Sequence, residues 1–288
     1  PCQAKKYQQV YRSFFKSILI FLGLMVQVDQ LVKSKLSRNI LITAGASGIG
    51  KSMAEEFSSN GDDVWIVDKE KSLLENCPKT WKKSCLDVSE EKSVLSLFKN
   101  IKNDWEKIDV LCANAGIKGP TSLIEDTSFS EWKNCLDVNI DGVFLFSKLT
   151  APLMKNKKSG SIIITSSTAG IFGFSHRSPY VTSKWAVIGL MKSLAIELGP
   201  YNVNVNAICP GSVEGDRLER VIEAEVISKG MSRDKIYKAY TEGTSLKKLI
   251  SPKDIADMAF FLAGQKSKLV SGQVIAVDGH TEVPDPKF

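Results

Sequence analysis

The chain has 288 residues, 43% of them apolar and 24% charged, with a formal net charge of +6. This is ordinary composition for a soluble globular protein, long enough to bury a sizeable core in one large domain or two small ones. The whole charge excess sits in residues 1–38, where seven basic side chains accompany one acidic one; from Asn39 onward 31 Lys and Arg balance 31 Asp and Glu. A neutral body lacks the basic footprint of a nucleic-acid binder. The six cysteines are scattered, with no C-x-x-C pair, and read as buried free thiols in a reducing, cytoplasmic setting. His176 and His280 have no companions at ligand spacing, so no metal site is expected.

In chain order, "KSILIFLGLMV" (16–26) follows basic residues and resembles a signal-peptide core. It is too short to span a bilayer, and no A-x-A-like cleavage site follows it. Residues 1–38 are therefore expected to be an N-terminal extension, with 1–24 lying upstream of a start at Met25 and not native. An amphipathic membrane-associating helix is the rival reading. From Asn39, short apolar runs alternate with segments of helical period. Strands are predicted at 39–44, 63–68, 84–88, 109–114, 161–167, 204–209 and 273–278, and helices at 49–60, 90–103, 128–155, 179–199 and 252–264. Near-continuous apolar runs mark strands covered on both faces of a parallel sheet. Their regular alternation with helices predicts an α/β fold: a single-domain, doubly wound (Rossmann) parallel sheet flanked by helices, over residues 39–288. No membrane partner is expected for this folded part.

In such sheets ligands bind beyond the carboxyl ends of the strands, and the motifs fall there. The first strand runs into "TAGASGIG" (43–50), where Gly48-Ile49-Gly50 opens a helix whose free N–H groups and positive dipole suit a pyrophosphate. Asp68 closes the second strand about 20 residues later, placed to accept hydrogen bonds from the adenosine ribose. Its carboxylate repels a 2′-phosphate, and Ser47 supplies no basic side chain to hold one, so NAD is expected over NADP. "ANAG" (113–116), with Asn114 and Gly116, closes the fourth strand at the rim of the same crevice. Tyr180 and Lys184 share one face at the start of a helix. The ammonium lowers the phenol's pKa toward working pH, which makes a general acid/base for an alcohol oxygen.

Taken together, these stretches resemble the classical short-chain dehydrogenase/reductase family over residues 39–281. "TAGASGIG" stands for its T-G-x-x-x-G-x-G, with Ala44 in place of the first glycine, and "ANAG" for its N-N-A-G. The resemblance implies hydride transfer between an alcohol or ketone carbon and nicotinamide. It implies catalytic roles for Asn139 (in "LDVNIDG"), Ser167, Tyr180 and Lys184, with Ser166 a second candidate for the serine. Tyr180 would exchange the proton, Ser167 would hold the reacting oxygen, and Lys184 would also hold the nicotinamide ribose. Asn139 would position a water for proton relay. Asp87 and Val88, read as the end of the third strand, match the adenine-contacting pair. Val213, after Pro210-Gly211, would meet the carboxamide. The threonine usual after that turn is replaced by Gly215, and "SGQVIAVDGH" ends in His280 where the family has glycine. A homo-oligomer, tetramer or dimer, is implied by analogy.

Residues 212–250 lie where the family places its variable substrate lid and lack a long apolar face. Lys118, His176, Arg177 and Arg217 are candidates to converge above the nicotinamide, suiting a small polar substrate such as a polyol, sugar acid or hydroxy acid. Rival readings are a 3-oxoacyl-thioester (acyl-carrier-protein) reductase and a non-catalytic nucleotide-binding regulatory protein. A serine hydrolase is disfavoured by the lack of G-x-S-x-G.

Overall fold

A computed structural model describes residues 37–283. Most of the predicted N-terminal extension, including Met25, lies outside the described residues. The elements follow in the order β1 (Asn39–Thr43), α1 (Gly48–Ser59), β2 (Asp63–Asp68), α2 (Lys71–Glu75), β3 (Lys82–Cys85), α3 (Glu91–Asp104) and β4 (Val110–Ala113). Then come α4 (Phe129–Leu136), a π turn (Asp137–Asp141), α5 (Gly142–Lys157), β5 (Gly160–Thr165), α6 (Ser178–Leu198) and β6 (Val203–Pro210). α7 (Asp216–Lys229), α8 (Arg233–Glu242), α9 (Pro252–Leu262) and β7 (Val274–Val277) complete the described chain. The strands are all parallel, in the order β3-β2-β1-β4-β5-β6-β7, which is the doubly wound sheet that the sequence pattern predicts.

The period-2 alternation of the strands sorts their side chains onto two cores. Leu41, Trp65, Val67, Leu111, Ile162 and Val205 join α3, α5 and α6 on one face. Ile40, Ile42, Val64, Ile66, Val110 and Ile163 join α1 and α9 on the other. Burying each such side chain contributes about 1.5–3 kcal/mol, so the two-sided apolar runs account for the sheet. Arg38 belongs to this body rather than to the extension. Its guanidinium binds Asp62 through Nε and Nη2, donates to the Ala263 carbonyl at 2.8 Å, and stacks on Phe57 and Phe260. No helix of the described residues is long and apolar enough to cross a membrane.

Three features differ from the sequence pattern. β3 occupies 82–85 rather than 84–88, because this edge strand is half or fully exposed and carries no apolar run. Asp87 and Val88 therefore follow the strand instead of ending it, and Cys85 is exposed rather than buried. The helix predicted over 128–155 is two helices joined by the π turn, where the Gly142 N–H reaches back to the Asp137 carbonyl. Finally, residues 212–250 form α7 and α8 over a small apolar cluster of their own, Leu218, Ile222, Met231 and Ile236. The two ends of this excursion are stitched together: Glu214 N–H donates to the Ile250 carbonyl, and Ile250 N–H to that of Ser212, both at 2.9 Å.

The strand order reverses between β1 and β4, so their carboxyl ends open a crevice. The β1–α1 turn there is tight. A side chain at residue 50 would stand 2.0 Å from the Ala44 carbonyl oxygen, so only glycine fits. Ala44 itself takes the left-handed conformation, φ 52°, that the glycine usual at this position would adopt freely. That conformation costs an alanine about 1–2 kcal/mol, part of which glycine returns through its looser unfolded chain. Ala44→Gly is therefore expected to stabilise the fold by about 1 kcal/mol and to raise the thermal midpoint by roughly 2–4 °C in a scanning calorimetry comparison.

Candidate active site

A cavity of about 820 Å³ lies beyond the carboxyl ends of β1, β2, β4, β5 and β6. At one end Ser47, Gly48 and Ile49 line it, at the N-terminus of α1. Gly48 has φ 51° and open space where a side chain would be. Asp68, mostly buried, anchors this turn: its Oδ2 accepts the Ala46 N–H at 3.2 Å and its Oδ1 the Glu70 N–H at 3.1 Å. Asp68, Lys69 and Glu70 all line this end, leaving one net negative charge. Asn114, Gly116 and Val213 also line the wall. Asp87 and Val88 do not: the Asp87 carboxylate accepts from Ser89, and Val88 is buried against Gly142. Burial pushes the Asp87 carboxyl up, but the hydrogen bonds from Ser89 outweigh it and hold it below the usual range. The loop, the helix start and the carboxylate fit a dinucleotide, with a helix N-terminus opened by Gly48 where a pyrophosphate needs N–H donors and an acceptor where a ribose needs one.

The proton-transfer groups stand at the middle of the cavity. Tyr180 lies in the first turn of α6, and Lys184 follows one turn later, buried, with Nζ 5.7 Å from the Tyr180 ring centroid. Lys184 Nζ donates to the Thr165 carbonyl at 2.9 Å, tying α6 to the end of β5. Burial and the nearby Arg217 hold this ammonium's pKa below its ordinary value, although Tyr180 opposes the shift. Ser167 follows β5; its Oγ caps the next turn by accepting the Ala169 N–H at 3.1 Å and is hydrogen-bonded to Tyr180. Ser166, the second candidate, is spent on structure: its buried hydroxyl donates to the Lys184 carbonyl at 2.8 Å. Burial pushes the Tyr180 phenol up, yet Arg217, Lys184, the Ser167 hydrogen bond and Arg177 together bring it down to about 8.

Asn139 is fully buried in the π turn. Its Oδ1 accepts the Ile117 N–H at 2.7 Å, while Nδ2 donates to the Ile117 carbonyl and to Ser183 Oγ. The amide thus braces the turn after β4 against α6. A methyl group added at Gly116 would lie 3.1 Å from Asn139 Oδ1 and 3.2 Å from Lys184 Nζ. Gly116 thus lets the turn after β4 close onto both polar groups, which a larger side chain would crowd.

Of the four substrate-side candidates, three come together. Arg177, only 7% exposed, stacks on the Tyr180 ring at 4.9 Å; its Nε has no partner and its Nη2 donates to the Lys118 carbonyl at 3.4 Å. Arg217 stacks on the same ring at 5.7 Å and donates to the Gly116 carbonyl at 3.1 Å. Lys118 donates to the Arg220 carbonyl; burial, together with Arg177, Arg220 and Arg217, lowers its pKa. His176 turns away, φ 60°, with Nδ1 2.5 Å from Ser228 Oγ, and lines a neighbouring depression of about 620 Å³ instead. Arg220 joins the cluster unforeseen, although its i, i+3 spacing from Arg217 puts both on one face of α7. Behind Arg177 stands Glu225, 1% exposed, 3.7 Å from Arg177 and 3.3 Å from Lys229, accepting from the Tyr240 hydroxyl at 2.6 Å. A buried carboxylate within an amphipathic helix leaves no periodic signal in the sequence.

Comparison with known proteins bears on the same residues. A family model described as "Enoyl-(Acyl carrier protein) reductase" matches residues 43–280. The chain is 33% identical over 246 residues to mitochondrial borneol dehydrogenase of Lavandula x intermedia, covering 84% of this chain and 90% of that one. It is 32% identical over 246 residues to the 3-oxoacyl-[acyl-carrier-protein] reductase of Thermotoga maritima, covering 83% and 95%. Among solved structures, NAD+-bound xylitol dehydrogenase superposes with a TM-score of 0.81 at 25% identity, covering 84% of this chain and 98% of that one. NADP-bound ElxO superposes with 0.75 at 29%, with the same coverage. With its parallel sheet, glycine turn and Ser-Tyr-Lys set, the chain belongs to the classical short-chain dehydrogenase/reductase family, the NAD(P)-dependent oxidoreductases of alcohols and ketones.

Proposed function

We propose that the protein is an NAD-dependent dehydrogenase of a small polar secondary alcohol, a polyol, sugar acid or hydroxy acid, or the reductase of the corresponding ketone. The observation that carries this reading is the Tyr180 phenol, held near pH 8 beside Ser167 and Lys184 and flanked by Arg177 and Arg217. The bound nicotinamide supplies the hydride acceptor in oxidation and the donor in reduction. In oxidation the Tyr180 phenolate takes the hydroxyl proton of the substrate as its carbonyl forms, and Ser167 Oγ donates a hydrogen bond to that oxygen. Lys184 stabilises the phenolate and would hold the nicotinamide ribose. Asn139, braced between Ile117 and Ser183, would position a water that returns the proton to solvent. Ser47, Gly48 and Ile49 would hold the pyrophosphate, with Asn114, Gly116 and Val213 along the wall and Asp68 at the adenosine ribose; Gly50, also predicted to bind it, is buried against the Ala44 carbonyl and shapes the turn instead.

The net negative end formed by Asp68 and Glu70, which outweigh Lys69 between them, supports NAD over a cofactor with a 2′-phosphate. Lys118, Arg177 and Arg217, joined by Arg220, favour a substrate with a carboxylate or several hydroxyls, and α7 with α8 forms its lid. The Thermotoga relative keeps a second reading in play, a 3-oxoacyl-thioester reductase. Exposed Phe144, Trp185 and Ile196 on α5 and α6 suit assembly into a homo-oligomer, tetramer or dimer, and the free cysteines suit the cytoplasm.

Tyr180→Phe is expected to lower kcat by about 100-fold or more while leaving the fold intact by circular dichroism. Alcohol oxidation needs the phenolate, so its kcat should climb as pH rises through about 8; ketone reduction needs the phenol and should fall over the same interval. A screen of polyols, sugar acids, hydroxy acids and 3-oxoacyl thioesters with both cofactors should show turnover with NAD on one of the first three classes. A strong NADP preference would sink the role given to Asp68, and turnover confined to the thioesters would establish the second reading.

A further inference from the structure

Three cations surround the Tyr180 ring, and two different parts of the chain carry them. Lys184 belongs to α6 and Arg177 leads into it; both are more than nine-tenths buried and fixed to the sheet side of the cavity. Arg217 comes from the first turn of α7, on the excursion between β6 and α9. The chain enters α7 through Gly215, at φ 121° and ψ 178°, a conformation that side chains other than glycine's rarely adopt, and no atom lies within 4 Å of where a Cβ would be. The entry is tied by the Glu214–Ile250 and Ile250–Ser212 backbone hydrogen bonds, and Leu218 in the first turn packs into the cluster with Ile222, Met231 and Ile236. Across the cavity the first turn is further tied by Arg217 on the Gly116 carbonyl, and the last turns by Glu225 near Arg177.

We propose that Arg217 is a positioning residue for Tyr180: seating α7 over the cavity places a further guanidinium over the Tyr180 ring, beside the cations that α6 and its lead-in supply. The other groups facing the ring are Lys184 from α6, Arg177 ahead of it, the Ser167 hydroxyl after β5 and, across the cavity, Lys118. The Glu225 carboxylate stands behind Arg177 with Lys229 beside it, and so offsets Arg177 more than it does Arg217. Burial drives the phenol upward, and among the groups that bring it down Arg217 acts most strongly, ahead of Lys184. Exposure of the Arg217 side chain to solvent screens part of this attraction. The consequence for turnover rests on Tyr180 as the proton-transferring group, whereas the acidity itself does not.

An ultraviolet titration of tyrosinate in the cofactor-free, full-length protein, with the Tyr180→Phe curve subtracted, isolates the Tyr180 midpoint. Arg217→Gln is expected to raise that midpoint by roughly half a unit to one unit and to move the pH profile of kcat by the same amount, while Arg217→Lys stays near the parent. An unchanged midpoint in a folded Arg217→Gln protein overturns the proposal, including when KM alone rises, since Arg217 would then serve only the substrate. A raised midpoint with an unmoved kinetic profile upholds it and tells instead against Tyr180 as the proton donor and acceptor.

Discussion

The crevice is held together by a relay of hydrogen bonds that begins at Thr43. Its hydroxyl accepts the N–H groups of Asn114 and Ala115, each at 2.9 Å, and its carbonyl accepts the Asn114 side chain. The ends of β1 and β4 are thereby fastened where the strand order reverses, which is where neighbouring turns would otherwise splay apart. From this seam the chain runs on to Ile117, which Asn139 grips through both N–H and carbonyl. Asn139 passes the constraint to Ser183, whose hydroxyl donates to the Tyr180 carbonyl at 2.7 Å. The turn suited to the cofactor and the residue suited to proton transfer are thus positioned by one continuous buried network. Such networks rigidify a site because leaving any member unpaired costs about 1–3 kcal/mol.

The electrostatics of the site follow from that rigidity. A phenol pushed into a partly desolvated cavity would normally become a weaker acid. Here the same burial strengthens the attraction of the surrounding cations, and the balance falls on the acidic side. Lys184 can remain buried because Thr165 accepts from its ammonium, which offsets part of the lost hydration. Arg177 is less completely satisfied, with an unpartnered Nε beside the cavity and Glu225 at 3.7 Å.

The parallel sheet was legible because burial on two faces writes itself as apolar runs, as in "NILIT" and "DVWIVD". β3 was misplaced for the converse reason: an edge strand of Lys82, Lys83, Ser84 and Cys85 has no such run, and the apolar Leu86 and Val88 just beyond it supplied a false one. The π turn was invisible because one extra residue in a helix barely disturbs a 3.6-residue period. Tyr180, Lys184 and Ser167 could be placed by motif, since their chemistry fixes their spacing. Arg220, Glu225 and the departure of His176 could not, because they depend on how α7 lies against the segment before α6. The substitution at Ala44 proves conformational: the residue occupies the glycine-like backbone position at a cost in strain, and Gly45 beside it is itself crowded against Ile66.

The small cluster of Leu218, Ile222, Met231 and Ile236 carries a consequence for motion. α7 and α8 pack chiefly on one another and draw little of their stability from the two large cores. A unit of this kind opens at a free-energy cost well below that of global unfolding, as a separate cooperative piece. If α7 and α8 cover the bound substrate, its entry and exit would need only this piece to detach and reseat. The exchange of ligands would thus be governed by a local equilibrium that substitutions in α7 and α8 can tune without touching the chemistry beneath.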